Sequence, residues 1–194
     1  CAGVDLNCGC PQRWALQEGI GACLIDKPEF VSDVVKRTRN RVRRDDFSVS
    51  VKIRIHGDVQ RTVDLCRQIE SAGAGFITVH GRTKDQRSDP VNLEAVKLIN
   101  DSVRIPIVAN GDIKSLADVE RVVSATGVRG VMAARGLLEN PAMFAGFDST
   151  PAECIRDWID IALSLGTPFN CFHHHLSYMC ESSLSRMERK YFNV

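Results

Sequence analysis

The sequence carries almost no excess of charge: 25 Lys and Arg stand against 24 Asp and Glu, a formal net charge of +1. That excludes a protein that coats nucleic acid through bulk charge, and it excludes an acidic tail. A local RNA-binding face stays compatible with it. No apolar run approaches the roughly 18 residues of a membrane-spanning helix, and no charged-then-apolar leader opens the chain. Eight cysteines are present, at 1, 8, 10, 23, 66, 154, 171 and 180. None forms a Cys-x-x-Cys pair, so neither a zinc ribbon nor a thioredoxin-type motif is supported. A secreted disulfide framework does not suit a chain of this length and helical content, and a reducing, cytoplasmic setting fits better. Internal repeats and low-complexity segments are also missing. The chain does not open on Met, and is read as a piece of a longer protein.

What is present is ordinary globular material. Hydrophobic residues make up 44% and charged residues 25% of 194 residues, enough to bury a real core in one domain, or in one domain with a small appendage. Short β-like runs alternate with helical patterns. The runs are Val4–Asn7, Val49–Ile55, Phe76–His80, Ile105–Ala109 and Val128–Ala133, and the second is a strict period of two. Pro28 fits a first helical position, as does Pro90 after Asp89 for the helix following the third run. Ser115 with Asp118 resembles a capping box. The spacing predicts parallel strands joined by right-handed crossovers.

The tail differs. Thr150, Pro151 and Glu153 predict a cap, a first-turn proline and an acid at a helix start. Ile155, Ile159, Ala162 and Leu163 continue that helix, Gly166-Thr167-Pro168 ends it, and Phe169, Phe172, Leu176, Met179, Leu184 and Met187 follow at helical spacings. The expected organisation is an α/β portion over residues 1–147 and a helical portion over 148–194.

Polar residues gather at strand ends. Ser50, Lys52 and Arg54 share the face of their strand opposite Val49, Val51, Ile53 and Ile55. In a parallel barrel that face points inward, where an unpaired Lys is costly to bury. Thr78 and His80 share a face, and His80 closes its strand. Asn7 to Pro11, Asn110-Gly111-Asp112 and Ala134-Arg135-Gly136 follow their strands directly. All lie at the C-terminal edge, where parallel α/β folds build active sites. The last two of these loops are the ones that commonly hold a phosphate in barrels. Gly111 and Gly136 permit close backbone approach, and Arg135 offers a bidentate donor.

These motifs carry a resemblance. Asp5-Leu6-Asn7-Cys8-Gly9-Cys10-Pro11, Val51-Lys52-Ile53-Arg54, Val79-His80-Gly81-Arg82-Thr83, Ala109-Asn110-Gly111-Asp112-Ile113 and Ala134-Arg135-Gly136 occur in this order. They resemble the tRNA-dihydrouridine synthases, flavin enzymes built on a TIM barrel with a C-terminal helical tRNA-binding domain. The tail, with Phe172 to Met179, looks most like the eukaryotic 4-like branch. The resemblance implies a partial TIM (β/α)8 barrel, about strands four to eight, followed by an all-α segment. It implies FMN as cofactor, NADPH as electron donor, and reduction of a tRNA D-loop uridine, at positions 20a and 20b, to 5,6-dihydrouridine. By the same resemblance Cys10 matches the catalytic acid, and Lys52 and His80 match flavin contacts. Asn110, Gly111, Asp112, Ala134 and Arg135 match the FMN phosphate site, Asn7 lies near the uracil, and Arg82 is read as a substrate contact. The family's earlier strands, with an Ala-Pro-Met flavin contact and a Gln, have no counterpart here. Lys84 to Asp89 replaces a Tyr-Ser-Gly-like run of bacterial members. This chain by itself is therefore expected to have open sheet edges, little flavin and no synthesis.

The chemistry gives Cys10 a reason. Reducing uracil places hydride on C6 and needs a proton at C5, and a thiol still protonated at neutral pH can deliver it. No role is assigned to Cys1 or Cys8. Each candidate has a plainer alternative: Cys10 as a small apolar residue, Lys52 as a solvated strand residue or a Schiff-base amine, His80 as a satisfied core histidine, Asp112 as a helix cap. Successive His173, His174 and His175 spread around a helix and cannot converge on a metal, so no metal is expected. Lys36, Arg37, Arg39, Arg41, Arg43 and Arg44 read as a solvated face before an RNA contact. The rival functions are another FMN barrel oxidoreductase acting on a free pyrimidine, a Lys52 aldolase, and a non-catalytic RNA-binding or interaction fragment.

Overall fold

The structure, a computed structural model, describes residues 1–181 and 183–192. The expected end of the helical portion at Val194 lies outside the described residues. Five strands are formed: β1 (Gly3–Cys8), β2 (Ser48–Arg54), β3 (Phe76–His80), β4 (Ile107–Asn110) and β5 (Gly130–Met132). All pair in parallel, in the order β1-β2-β3-β4-β5. Sequential order with crossovers of one hand puts the connecting helices on one side of the sheet. That is the arc of a TIM (β/α)8 barrel rather than a doubly wound sheet, whose order reverses.

The helices are α1 (Arg13–Gln17), α2 (Pro28–Arg41), α3 (Val59–Ser71), α4 (Leu93–Ser102), α5 (Leu116–Thr126), α6 (Arg135–Glu139), α7 (Ala152–Ser164), α8 (Phe169–Met179) and α9 (Arg186–Phe192), with 3₁₀ turns at Gly21–Asp26 and Met143–Ala145. The chain divides into two compact units, residues 1–111 with 120–132, and residues 112–119 with 133–194.

In the first unit, alternation explains the sheet. Val49, Val51, Ile53, Ile77, Val79 and Ile107 are buried and lie on one face. Helix α3 buries Thr62, Val63, Leu65, Cys66 and Ile69, the 3–4 spacing of an amphipathic helix. Pro28 begins α2, as expected. Pro90 does not begin α4: that helix starts at Leu93, where the Asn92 side chain accepts from the Ala95 N–H at 2.8 Å. A side-chain acceptor satisfies an orphan helix donor, whereas proline only removes one. Strand β4 starts later than expected because Pro106 has no N–H for the ladder, although its carbonyl accepts from Ile77 N.

In the second unit, Ser115 caps α5 as expected, its Oγ accepting from Asp118 N, but the Asp118 carboxylate accepts from Lys114 N rather than from Ser115 N, so the box is incomplete. Thr150 is not the cap of α7. Its hydroxyl donates to Glu139 O at 2.7 Å, and Pro151 occupies the N-cap position instead. Trp158 of α7 donates from Nε1 to Phe172 O of α8. Among the described residues no strand follows Met132, no helix is long and apolar enough to cross a membrane, and no group of three or more His, Cys, Asp or Glu could hold a metal ion.

Candidate active site

Strand register turns the polar alternation into rows. Asn7, Lys52, Thr78, Val108 and Gly130 are register partners across all five strands. One step on, Arg54, His80, Asn110 and Met132 form the next row at the C-terminal edge. Residues in register share a face, so one face of the sheet carries a cation, a hydroxyl, an imidazole and two amides.

The first row holds a buried hydroxyl without a partner among the described residues and a half-buried cation. Thr78 is 0% exposed, and its Oγ1 is buried without a hydrogen-bond partner among the described residues. Lys52 is half-buried. Burial pushes its ammonium below the ordinary lysine range; Arg54 pushes the same way, while Asp5 and Cys10 oppose. Native interiors rarely leave a buried hydroxyl such as Thr78 Oγ1 without a partner.

Cys10 sits in the loop after β1, half-buried, and four hydrogen bonds fix that loop. Asn7 Oδ1 accepts from Gly9 N at 3.0 Å and Cys10 N at 3.1 Å, the Asx turn that suits asparagine. Cys10 O accepts from Ala22 N at 2.9 Å. Gly9 O accepts from Arg54 Nε at 3.0 Å. Arg54 also donates from Nη1 to Thr83 O at 2.8 Å and Gln86 O at 3.0 Å, while only 8% exposed. Its guanidinium therefore ties the Cys10 loop to the loop after β3. Gly21 has φ +67, and a Cβ there would lie 2.6 Å from Cys10 O. Only glycine allows that approach. Cys8, two residues away, is 0% exposed, and burial foremost, then Asp5, pushes its thiol up to about 12. Of the two thiols, Cys10 is the one a substrate can reach.

His80 and Arg82 interact directly. Arg82 Nη1 lies 3.4 Å from His80 Nε2. A guanidinium has only donors, so in this contact Nε2 is the accepting atom. Arg82 Nε donates to Asp89 O, and the residue is 3% exposed. Its side chain is engaged with its own loop and with His80. Asn110 donates from Nδ2 to Met132 O at 2.8 Å, which braces β4 to β5. Gly111 has φ +119, and a Cβ there would lie 2.7 Å from Val91 Cγ2 and 3.0 Å from His80 Cδ2.

The remaining candidates lie in the second unit. Asp112 has φ 53, left-handed backbone that aspartate tolerates. Ala134 precedes α6, and its carbonyl accepts from Leu137 N and Leu138 N. Arg135 Nη2 stands 4.0 Å from Asp112 Oδ1, with a side chain 61% exposed. A Cβ on Gly136 would lie 2.3 Å from Ile113 O, so the loop after β5 needs glycine there.

The structure thus brings Asn7 and Cys10 together, and His80 with Arg82 and Gly111. Two contributors are not evident in the sequence, Arg54 as a clamp and Gly21 as the seat of the Cys10 loop. Arg54 leaves one signal, its place two residues beyond Lys52 on the inward face. Gly21 leaves none.

Comparison with known proteins follows this geometry. The dihydrouridine synthase (Dus) family model matches residues 1–192. The chain is 61% identical to a mouse protein named tRNA-dihydrouridine(20a/20b) synthase [NAD(P)+]-like, over 99% of the chain and 59% of the relative. It is 59% identical to the human protein of that name, over 99% of the chain and 61% of the relative. Identity is 42% to the Saccharomyces cerevisiae tRNA-dihydrouridine(20a/20b) synthase [NAD(P)+], over 94% of the chain and 51% of that protein. The chain spans about three fifths of the mouse and human relatives.

Proposed function

Since the chain belongs to the dihydrouridine synthase family, we propose that it forms the Cys10-bearing part of an FMN-dependent, NADPH-driven synthase. The enzyme would reduce a tRNA D-loop uridine, at positions 20a and 20b, to 5,6-dihydrouridine. The observation that carries this reading is the polar face, where Lys52, Thr78, His80 and Asn110 meet the C-terminal edge beside the fixed Cys10 loop.

The donor set suits a flavin. Its pyrimidine-like ring offers carbonyl and ring-nitrogen acceptors. This face offers an ammonium and an orphaned hydroxyl, with the His80 imidazole beside Arg82. Lys52 and His80 would contact the ring, the ammonium stabilising negative charge there. Asn110 and Gly111 are proposed phosphate contacts in the first unit, and Arg135, with Asp112 and Ala134, in its own. FMN supplies two-electron hydride chemistry when bound. The chain's own part is the proton: Cys10 would hold it on Sγ for delivery to C5 of the uracil. Asn7 would act first through the loop, since its Oδ1 is engaged by the Gly9 and Cys10 amides. Arg82 would act through His80.

The helical portion from residue 148 is the proposed tRNA-contacting part. Reduction at C5–C6 needs a base out of its stack, which accords with an edge site rather than a closed cavity. Eight free thiols accord with a reducing compartment, which we take to be the cytoplasm.

The test uses the full-length protein. It should purify with flavin absorbance, consume NADPH, and form dihydrouridine on unmodified tRNA but not on free uridine. Turnover of free uridine with no turnover of tRNA would instead favour a pyrimidine oxidoreductase on the same barrel.

A further inference from the structure

We propose that Asp5, held in place by Ser50, is a positioning residue that keeps Lys52 charged on the polar face. The inference rests on the reading of Lys52 as a flavin contact only for its consequence, not for its geometry.

Asp5 and Asn7 alternate on one face of β1, as Ser50, Lys52 and Arg54 do on β2. Register sets Asp5 opposite Ser50 and Asn7 opposite Lys52, so Asp5 stands diagonally behind Lys52 on the same face. Ser50 Oγ donates to Asp5 Oδ1 at 2.7 Å, which pins the carboxylate against β2. Ser50 itself is buried.

The groups around Lys52 make the carboxylate matter. From its own strand comes the Arg54 cation. Strand β3 contributes uncharged Thr78 directly opposite and the titratable His80 one step on. Strand β1 contributes Asp5, and the loop after it Cys10. Among these groups Asp5 is the one carboxylate. Burial and Arg54 both favour the neutral amine, and Asp5 works against them. A neutral Lys52 would contribute no positive charge to a bound anionic ring. Asp5 therefore sets the pH range over which the site works while touching no reacting atom.

The direct test is an NMR titration of the Lys52 side chain in the flavin-free full-length protein, assigned with Lys52→Arg. In Asp5→Asn the Lys52 midpoint should fall by about one pH unit, the low end for a nearby opposite charge because Asp5 is exposed. Asp5→Glu should restore part of the shift. Ser50→Ala keeps the charge but frees the carboxylate, and should lower the midpoint by less. If Asp5→Asn fails to fold, Ser50→Ala decides. The pH at which FMN affinity declines should move with the Lys52 midpoint in each variant. An unmoved Lys52 midpoint in the folded variants overturns the inference. A moved midpoint with FMN affinity independent of pH leaves it standing and overturns the assignment of Lys52 to the flavin.

Discussion

Replacing Arg54 by Met tests the clamp that holds the Cys10 loop. The guanidinium is 8% exposed and donates to Gly9 O, Thr83 O and Gln86 O. A hydrogen bond from a charged donor contributes about 1.5–3 kcal/mol net. The three are not additive, because burying the cation itself costs several kcal/mol. Methionine restores most of the volume and removes that cost, but it leaves three carbonyls without their donor. A buried acceptor left without its donor costs about 1–3 kcal/mol, so the net loss should be about 2–4 kcal/mol, a large part of the roughly 5–15 kcal/mol that holds a domain folded. Arg54→Lys keeps the charge and can satisfy only part of the set, so it should cost about half as much. Urea unfolding of the full-length protein gives these values. Amide exchange at Gly9 and Cys10 should accelerate in Arg54→Met beyond what the global loss explains, because Gly9 O is one of the three acceptors. A stability change below about 1 kcal/mol, with unchanged exchange at Gly9 and Cys10, would refute the clamp.

Three further outcomes follow from other contacts. Gly21→Ala forces a Cβ to 2.6 Å from Cys10 O at φ +67, so the Cys10 loop must shift. Dihydrouridine formation should fall by roughly 10²-fold, with flavin content retained, as measured on unmodified tRNA. Arg135→Ala should weaken FMN binding by about 1.5 kcal/mol, the low end for a charge-assisted bond at an exposed side chain, and titration with riboflavin, which lacks the phosphate, should show no change. Cys8 and Cys66 are both pushed by burial from 9.0 up to about 12. The folded protein keeps two protons that the unfolded chain releases, so stability is full below about 9 and falls as pH rises toward 12. Cys66→Ala should flatten that fall in urea unfolding curves taken across the range.

Much of the sheet was legible because period-two alternation is a local property. Phe76–His80 forms a strand with the bounds its sequence suggests. The fourth strand starts at Ile107 rather than Ile105, because Pro106 lacks the ladder donor that the β propensity of Ile-Pro-Ile conceals. The segment between Pro11 and Pro28 folds into α1 and a 3₁₀ turn that no apolar period announces. It is held instead by backbone bonds such as Ala22 N to Cys10 O. Site residues show the same division. Cys10, Lys52 and His80 stand out by chemistry and position. Arg54's role could not be read, because its three acceptors are backbone carbonyls, and carbonyls have no residue signature. Arg82 looked available in the sequence, but in the folded chain its guanidinium turns back onto Asp89 O and His80.

Cys10 is the proposed proton donor. Cys10→Ala in the full-length enzyme removes that donor and leaves Lys52, His80 and Arg135 in place. The measurement is a parallel assay of flavin content, flavin reduction by NADPH, and dihydrouridine formed on unmodified tRNA. The account predicts wild-type flavin content and reduction with dihydrouridine formation lost. Dihydrouridine formed by Cys10→Ala at the wild-type rate would contradict it.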